Sequence, residues 1–285
     1  MSDREFLSCD VGVSIERKSA TIAHVASKIN RERQFMIYYF SATGNSRYVA
    51  ETLSRYFHDP CVSIEDFADV ESVDCYPAPG ESVGIVSPTY AWGLPVNVRE
   101  FLEKLVIKAP GQPYLYFVAT YGKISGTVDL EVIRILKKTI RRSPDALFGV
   151  KMPDTWTPIF DLSSRAKTDK INSAADKQIH DMTELIRAGK ERNYIKNKAP
   201  ELFSFVHKPV YNHLRQTKYF HVEESCIGCG QCAKNCPAHA IEMKDGHPVW
   251  VKDRCIACLR CLHHCPEFAI QYGTHTKKHG QYAHK

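Results

Sequence analysis

Eight thiols dominate the chemistry open to this sequence. Cys226, Cys229, Cys232 and Cys236 precede Pro237; Cys255, Cys258, Cys261 and Cys265 precede Pro266. Both runs therefore read C-x2-C-x2-C-x3-C-P. This spacing is the bacterial signature of a pair of [4Fe–4S] clusters, whose iron takes thiolate ligands. Three closely spaced cysteines wrap one cube, and the fourth is carried off to the other. By this rule Cys226, Cys229, Cys232 and Cys265 form one ligand set. Cys255, Cys258, Cys261 and Cys236 form the second. Zinc is the competing reading, but zinc ribbons carry two separated C-x2-C pairs rather than two complete four-cysteine runs. Cys9, Cys61 and Cys75 lie outside the runs and read as plain small side chains.

A second stretch has chemistry of another kind. A continuous apolar run, residues 35–40, leads into Ser41-Ala42-Thr43-Gly44-Asn45-Ser46 and then a helical pattern. Gly44 permits a tight bend, and free N–H groups at a helix start favour a phosphate. The loop has neither the lysine of a P-loop nor the three glycines of a dinucleotide fingerprint. A monophosphate suits it; a polar loop ending in an N-cap is the plainer alternative. Two further loops follow later strands, Pro88-Thr89-Tyr90-Ala91-Trp92-Gly93-Leu94-Pro95 and Thr120-Tyr121-Gly122. Their aromatic rings suit a flat ligand, or else Tyr90 and Trp92 pack against the cysteine domain or another loop.

These loops need a frame that brings them together. Strand patterns at 35–40, 61–64, 83–86, 114–119 and 146–150 alternate with helical patterns at 46–57, 98–106 and 128–140. Such alternation predicts an open, doubly wound five-stranded parallel sheet, with ligands beyond the C-terminal strand ends. The expected organisation is an N-terminal extension or over-long gene model at 1–34 and the α/β domain at 35–162. A helical and basic connector follows at 163–218, where Lys and Arg outnumber Asp and Glu. The cysteine domain occupies 219–273, and a basic, disordered tail 274–285. Ile171, Ala175, Ile179, Met182 and Ile186 stripe one face of a long helix in the connector.

The chain has 285 residues and a formal charge of +6. Eight thiolates and two oxidised cluster cores would add about −4, and a bound phosphate about −1.5 to −2. The loaded protein is thus near neutral, and nucleic acid is not the expected partner. No apolar run reaches the ~18 residues of a membrane span. The sequence begins without an apolar signal segment and keeps its thiols bunched, so the expected location is the cytoplasm.

Residues 36–151 resemble flavodoxins, whose phosphate loop follows S/T-x-T-G-x-S/T. The whole of 36–273 resembles bacterial flavodoxin–ferredoxin fusion proteins of the EFR type. The resemblance rests on Ser41–Ser46, Tyr90–Pro95, Thr120–Gly122 and the eight cysteines. It implies a flavodoxin-like α/β sheet followed by an α+β two-cluster ferredoxin domain, with flavin mononucleotide (FMN) held noncovalently. It places Ser41, Thr43, Asn45 and Ser46 on the phosphate, and Tyr90, Trp92 and Tyr121 beside the isoalloxazine. No acidic run follows Gly122 as it does in many free flavodoxins.

Three functions fit. The first is electron transfer between two clusters, FMN and a redox protein partner. The second is an FMN-dependent reductase of a small molecule or quinone, fed by the clusters. The third is a flavin-less iron–sulfur binding or sensor module. No pyridine-nucleotide motif is visible, no catalytic acid or base stands out, and His263 and His264 read as polar surface in the cysteine loop. Oligomeric state, donor, acceptor and direction of flow stay open.

Overall fold

The computed structural model describes residues 36–284. The expected N-terminal extension lies outside them. Seven strands fall in the first domain: β1 (Met36–Tyr39), β2 (Cys61–Ser63), β3 (Val73–Cys75), β4 (Ser82–Pro88), β5 (Leu105–Ile107), β6 (Tyr114–Tyr121) and β7 (Ala146–Lys151). Five of them form a parallel sheet in the order β2-β1-β4-β6-β7. The order reverses between β1 and β4, so the loops leaving these two strands diverge and open a cleft. The short strands β3 and β5 pair beside this sheet, an addition to the five expected strands.

Both faces of the sheet are covered, as its unbroken apolar strands require. On one side pack α1 (Asn45–Phe57) and α4 (Arg165–Arg187), burying Val49, Leu53, Ala175, Ile179 and Met182 against Ile37, Val86, Val118 and Phe148. On the other pack α2 (Val96–Lys104) and α3 (Val128–Thr139), with Val98, Phe101, Leu102, Val132 and Leu136 against Tyr38, Ile85 and Phe117. The long helix set apart in the sequence as part of a connector is therefore a layer of the sheet. Its apolar stripe covers β7, which would otherwise face water.

The basic segment that follows contains α5 (Ser204–Leu214), with Pro209 inside it. A proline at this position strips the carbonyl of Phe205 of its helical partner; Phe205 is 77% exposed, so water can supply the missing bond. The cysteine domain adds two antiparallel pairs, β8 (Phe220–Val222) with β11 (Ile270–Tyr272), and β9 (Ile241–Lys244) with β10 (His247–Trp250). Short helices α6 (Gln231–Lys234) and α7 (Arg260–His263) each follow a cysteine loop. Phe220, Trp250 and Tyr272 knit the small core, with Phe220 stacked on Trp250 at 4.9 Å.

The tail departs from its expected disorder. Residues 276–279 form a helical turn, α8. Leu162 N–H donates to the His279 carbonyl at 2.8 Å, and His284 N–H to that of Thr43 at 2.7 Å. Its lysines and histidines resemble a solvated tail in composition, yet its backbone and aromatic rings find partners on both domains.

Within the sheet, Gly84 of β4 stands directly opposite Tyr116 of β6. A Cβ on Gly84 would lie 2.4 Å from the Tyr116 hydroxyl. Gly84→Ala should destabilise the sheet by about 1–3 kcal/mol, the usual cost of overpacking. An unchanged urea midpoint would show that Tyr116 moves aside freely.

Candidate functional site

The loop after β1 has the form a phosphate site needs. Gly44 sits in the left-handed region at φ 92° and starts α1. Among the described residues, no hydrogen bond is made by the amide N–H groups from Ala42 to Arg47. The carbonyls of the same loop are all taken. That of Ser41 accepts from Arg260 at 2.7 Å, that of Ala42 from His264 Nε2 at 3.0 Å, and that of Thr43 from His284 N–H. The side chains are less free than their types imply. Asn45 Nδ2 donates to the Pro153 carbonyl at 3.1 Å, and Ser46 Oγ shares a 2.8 Å hydrogen bond with Thr120 Oγ1. Thr43 is buried.

Beyond the loop lies a cavity of about 410 Å³, within the size range of ligand pockets. Ser41, Thr43, Asn45, Ser46, Thr89, Tyr90, Trp92, Tyr121 and Gly122 all line it. The sheet thus brings the predicted loops to one place, although they come from three strands. Thr89 Oγ1 is buried there without a hydrogen-bond partner among the described residues, an atom that a polar ligand would satisfy. The rings play different parts. Tyr90 packs edge-on to Phe40 and against Tyr211. Trp92 packs edge-on to Phe203 at 6.2 Å, so it meets another loop as well as the cavity. Tyr121 is sunk against Gly149, and its hydroxyl accepts from Asn197 at 3.3 Å.

The sequence did not single out the segment after β7, which supplies Asp154, Trp156, Ile159 and Phe160 to the same cavity. Its position at a C-terminal strand end was the available signal. Burial raises Asp154 above the ordinary carboxylate range. A Cβ at Gly122 would lie 2.1 Å from Asp154 Oδ2, so this carboxylate explains the glycine.

The Tyr90–Pro95 loop is clamped from behind. Glu131 accepts from Leu94 N–H at 2.8 Å and pairs with Arg99. Burial lowers the pKa of His207, which matches its bonding as a neutral ring: Nδ1–H donates to the Ala91 carbonyl at 2.7 Å, and Nε2 accepts from Arg99. Ala91 and Trp92 both have positive φ, at 45° and 73°, a conformation that needs such support.

The eight cysteines form two groups. Cys226, Cys229, Cys232 and Cys265 line one small cavity; Cys236, Cys255, Cys258 and Cys261 line another. Cys236 and Cys265 have each crossed to the other run's group. Their sulfurs accept equivalent backbone hydrogen bonds, Ala240 N–H to Cys236 at 3.4 Å and Ala269 N–H to Cys265 at 3.3 Å. Among the described residues, no three His, Cys, Asp or Glu side chains are placed to hold a single metal ion. A lone zinc needs its thiolates about 2.3 Å from one centre, whereas a cube spreads them over four irons. Burial pushes Cys255 up to about 11 and Cys258 up to about 12; coordination to a cation would reverse that preference.

The two halves meet at the cavity. Ala257 and Cys258 form part of the wall that the phosphate loop and Tyr90 also line. Arg260 grips both carboxylate oxygens of Glu65 as well as the Ser41 carbonyl. His263, expected at the surface, is an interface residue, whereas His264 is exposed as expected while its Nε2 reaches the Ala42 carbonyl. His263 is buried and donates from Nε2 to the Thr155 carbonyl at 2.9 Å. These contacts join residues 108 to 222 positions apart, beyond the reach of local spacing.

A reversed-order parallel sheet with a phosphate-type loop, abutting a doubled four-cysteine domain, defines a flavodoxin–ferredoxin fusion. The model of the flavodoxin domain matches residues 36–181, and that of the 4Fe-4S dicluster domain residues 225–270. The first covers just over half of the chain, which belongs to the flavodoxin domain family. Both domain types serve electron transfer. No curated protein matches the chain. Among the described residues, no helix is long and apolar enough to cross a membrane.

Glu131 provides a test of how the ring-bearing loop is held. Glu131→Ala leaves the part-buried Arg99 beside His207 without its carboxylate, and should cost up to about 3 kcal/mol, the low end for a buried pair. Glu131→Gln, which keeps the acceptor for Leu94 N–H, should cost less. Equal thermal midpoints for the two variants would argue against the clamp.

Proposed function

We propose that the protein is an electron relay, carrying electrons between two [4Fe–4S] clusters and a bound FMN, and between these and a redox protein. The observation that carries this reading is the shared wall: Cys258 lines the same cavity as the phosphate loop and the aromatic loops. When bound, FMN exchanges one or two electrons and the clusters exchange single electrons, so the pair can join one-electron to two-electron chemistry.

The residues fit both groups. The N–H groups from Ala42 to Arg47 bind the phosphate, with Ser41, Thr43, Asn45 and Ser46 shaping the loop. Thr89 offers its unpaired hydroxyl to the flavin. Tyr90, Trp92 and Trp156 exclude water around the ring, while Tyr121 and Gly122 set the depth of the wall. Cys236, Cys255, Cys258 and Cys261 hold the cluster nearer the flavin. Cys226, Cys229, Cys232 and Cys265 hold the outer one. Their surroundings support this order. Cys255 is buried and Cys258 half-buried, whereas Cys229 is exposed and Ile227 near it is 65% exposed. A redox partner would meet the outer cluster at that face. The fused domains keep the inner cluster beside the flavin without a second encounter.

Anaerobic purification should yield flavin bands above a broad cluster shoulder, with about eight irons per chain for two [4Fe–4S] clusters. Cluster absorption with no flavin, even after incubation with FMN, would sink the relay. Cys236→Ala should remove the spectroscopic signature of the inner cluster, leave that of the outer one, and block reduction of the flavin by a protein donor. Loss of the outer cluster instead would overturn the ligand assignment.

A further inference from the structure

The phosphate loop is held from outside. In each peptide unit the N–H and C=O point in opposite directions. Fixing three successive carbonyls on one side therefore turns the N–H groups to the other. Arg260 and His264 fix those of Ser41 and Ala42. The third restraint comes from the C-terminal strap: the backbone N–H of His284 donates to the Thr43 carbonyl at 2.7 Å. His284 lies flat on Tyr48 of α1, ring centroids 4.2 Å apart. The Tyr282 hydroxyl lies 3.1 Å from Oδ1 of both Asn45 and Asn172. The backbone of His284 lies so close to Gly44 that a Cβ there would come within 2.5 Å of its carbonyl oxygen.

The strap is anchored equally firmly to the cysteine domain. Gln281 Nε2 donates to the carbonyls of Leu262 and Cys265 at 2.7 and 2.8 Å. Tyr282 N–H donates to His263 Nδ1 at 3.2 Å. Residues 281–284 do not belong to the lining of the cavity. The strap takes the carbonyl side of the loop and leaves the N–H side clear.

We propose that Arg260, His264 and the strap residues Tyr282 and His284 are positioning residues of the flavin's phosphate site, which aim its N–H groups by holding its carbonyls. This rests on reading that loop as the phosphate site. The ligand feature they serve is a phosphate monoester, so they govern the preference for FMN over riboflavin. A loop fixed in advance loses less freedom on binding. The coupling is reciprocal, so bound FMN also holds the strap down and joins the two domains more tightly.

The test uses the full chain with clusters loaded and flavin removed, titrated anaerobically with FMN and with riboflavin by fluorescence quenching. His284→Pro deletes the N–H that reaches Thr43; His284→Ala keeps it; Tyr282→Phe removes the hydroxyl near Asn45. His284→Pro and Tyr282→Phe should each lose roughly three- to tenfold in FMN affinity, the worth of one hydrogen bond, with riboflavin affinity unchanged. His284→Ala should lose less than His284→Pro. Should the proline variant lose cluster iron, the Tyr282→Phe comparison decides. Unchanged FMN affinity, or an equal fall for FMN and riboflavin, overturns the strap's role. A wild-type protein that does not prefer FMN over riboflavin refutes the phosphate-site reading itself.

Discussion

Arg260 is the contact on which the arrangement of the two domains depends. Its guanidinium reaches both oxygens of Glu65, the Ser41 carbonyl and the Asn235 carbonyl, and lies 5.8 Å from the centre of the Phe40 ring. Both side chains of the pair are largely shielded from water. A shielded ion pair adds little net stability unless its geometry is good and its remaining hydrogens are satisfied. Here the planar fork meets the carboxylate with two bonds, and each Nη also donates to a backbone carbonyl. Lysine has no such fork and could not make the same set of contacts at once. The pair therefore favours this orientation, in which both charges and two backbone carbonyls find partners at once.

That orientation has two consequences for the cavity. It brings Ala257 and Cys258 to the wall, and it places the positive side chain on the outer side of the phosphate loop. Tyr211 provides a second pin from another direction. Its hydroxyl accepts from Val96 N–H at 3.3 Å and donates to the Ile256 carbonyl at 2.8 Å, tying α2 to the second cysteine loop. Its ring lies between Tyr90 and His207. The connector helix α5 is thus a wedge between the sheet and the cysteine domain. The aromatic loop, the wedge and the cysteine loop are thereby tied to one another, as the proposed relay requires of two cofactors held at a fixed separation.

The parts of this site that were legible in the sequence are those encoded within a short run. Cysteine spacing is such a run, because one tight turn wraps one cube. The strand–loop–helix around Gly44 is another, because backbone geometry there is local. Apolar alternation exposed the sheet for the same reason. His263, His264 and Tyr282 were illegible because their partners, Thr155, Ala42 and Asn45, are more than 100 residues away. Asp154 was hidden similarly: only the fold places it against Gly122. The long helix α4 showed its stripe clearly, but nothing local says which surface a stripe will cover. Composition misled at the tail, since it counts side chains and the tail is held largely through its backbone.

The doubled cysteine domain is not symmetric, and the asymmetry follows from what each half faces. In the first loop Gly228 and Gly230 adopt φ 67° and 72°. Ala257 and Leu259 hold the equivalent positions in the second loop at φ 57° and 55°. Glycine takes this conformation freely, whereas a side chain there is strained by roughly 1–3 kcal/mol. The strain persists because these side chains are buried: Ala257 meets the cavity, Leu259 fills the small core, and neighbouring Ile256 joins the core of the sheet. The first loop faces the β9–β10 hairpin instead, where a Cβ at Gly228 would lie 2.6 Å from the Gly246 carbonyl oxygen, and Ile227 is turned outward. The second half of the repeat thus packs on the flavodoxin domain, while the first faces its own hairpin and solvent. Under the proposed relay this difference in packing, rather than any difference in ligands, sets which cluster is inner and which is outer.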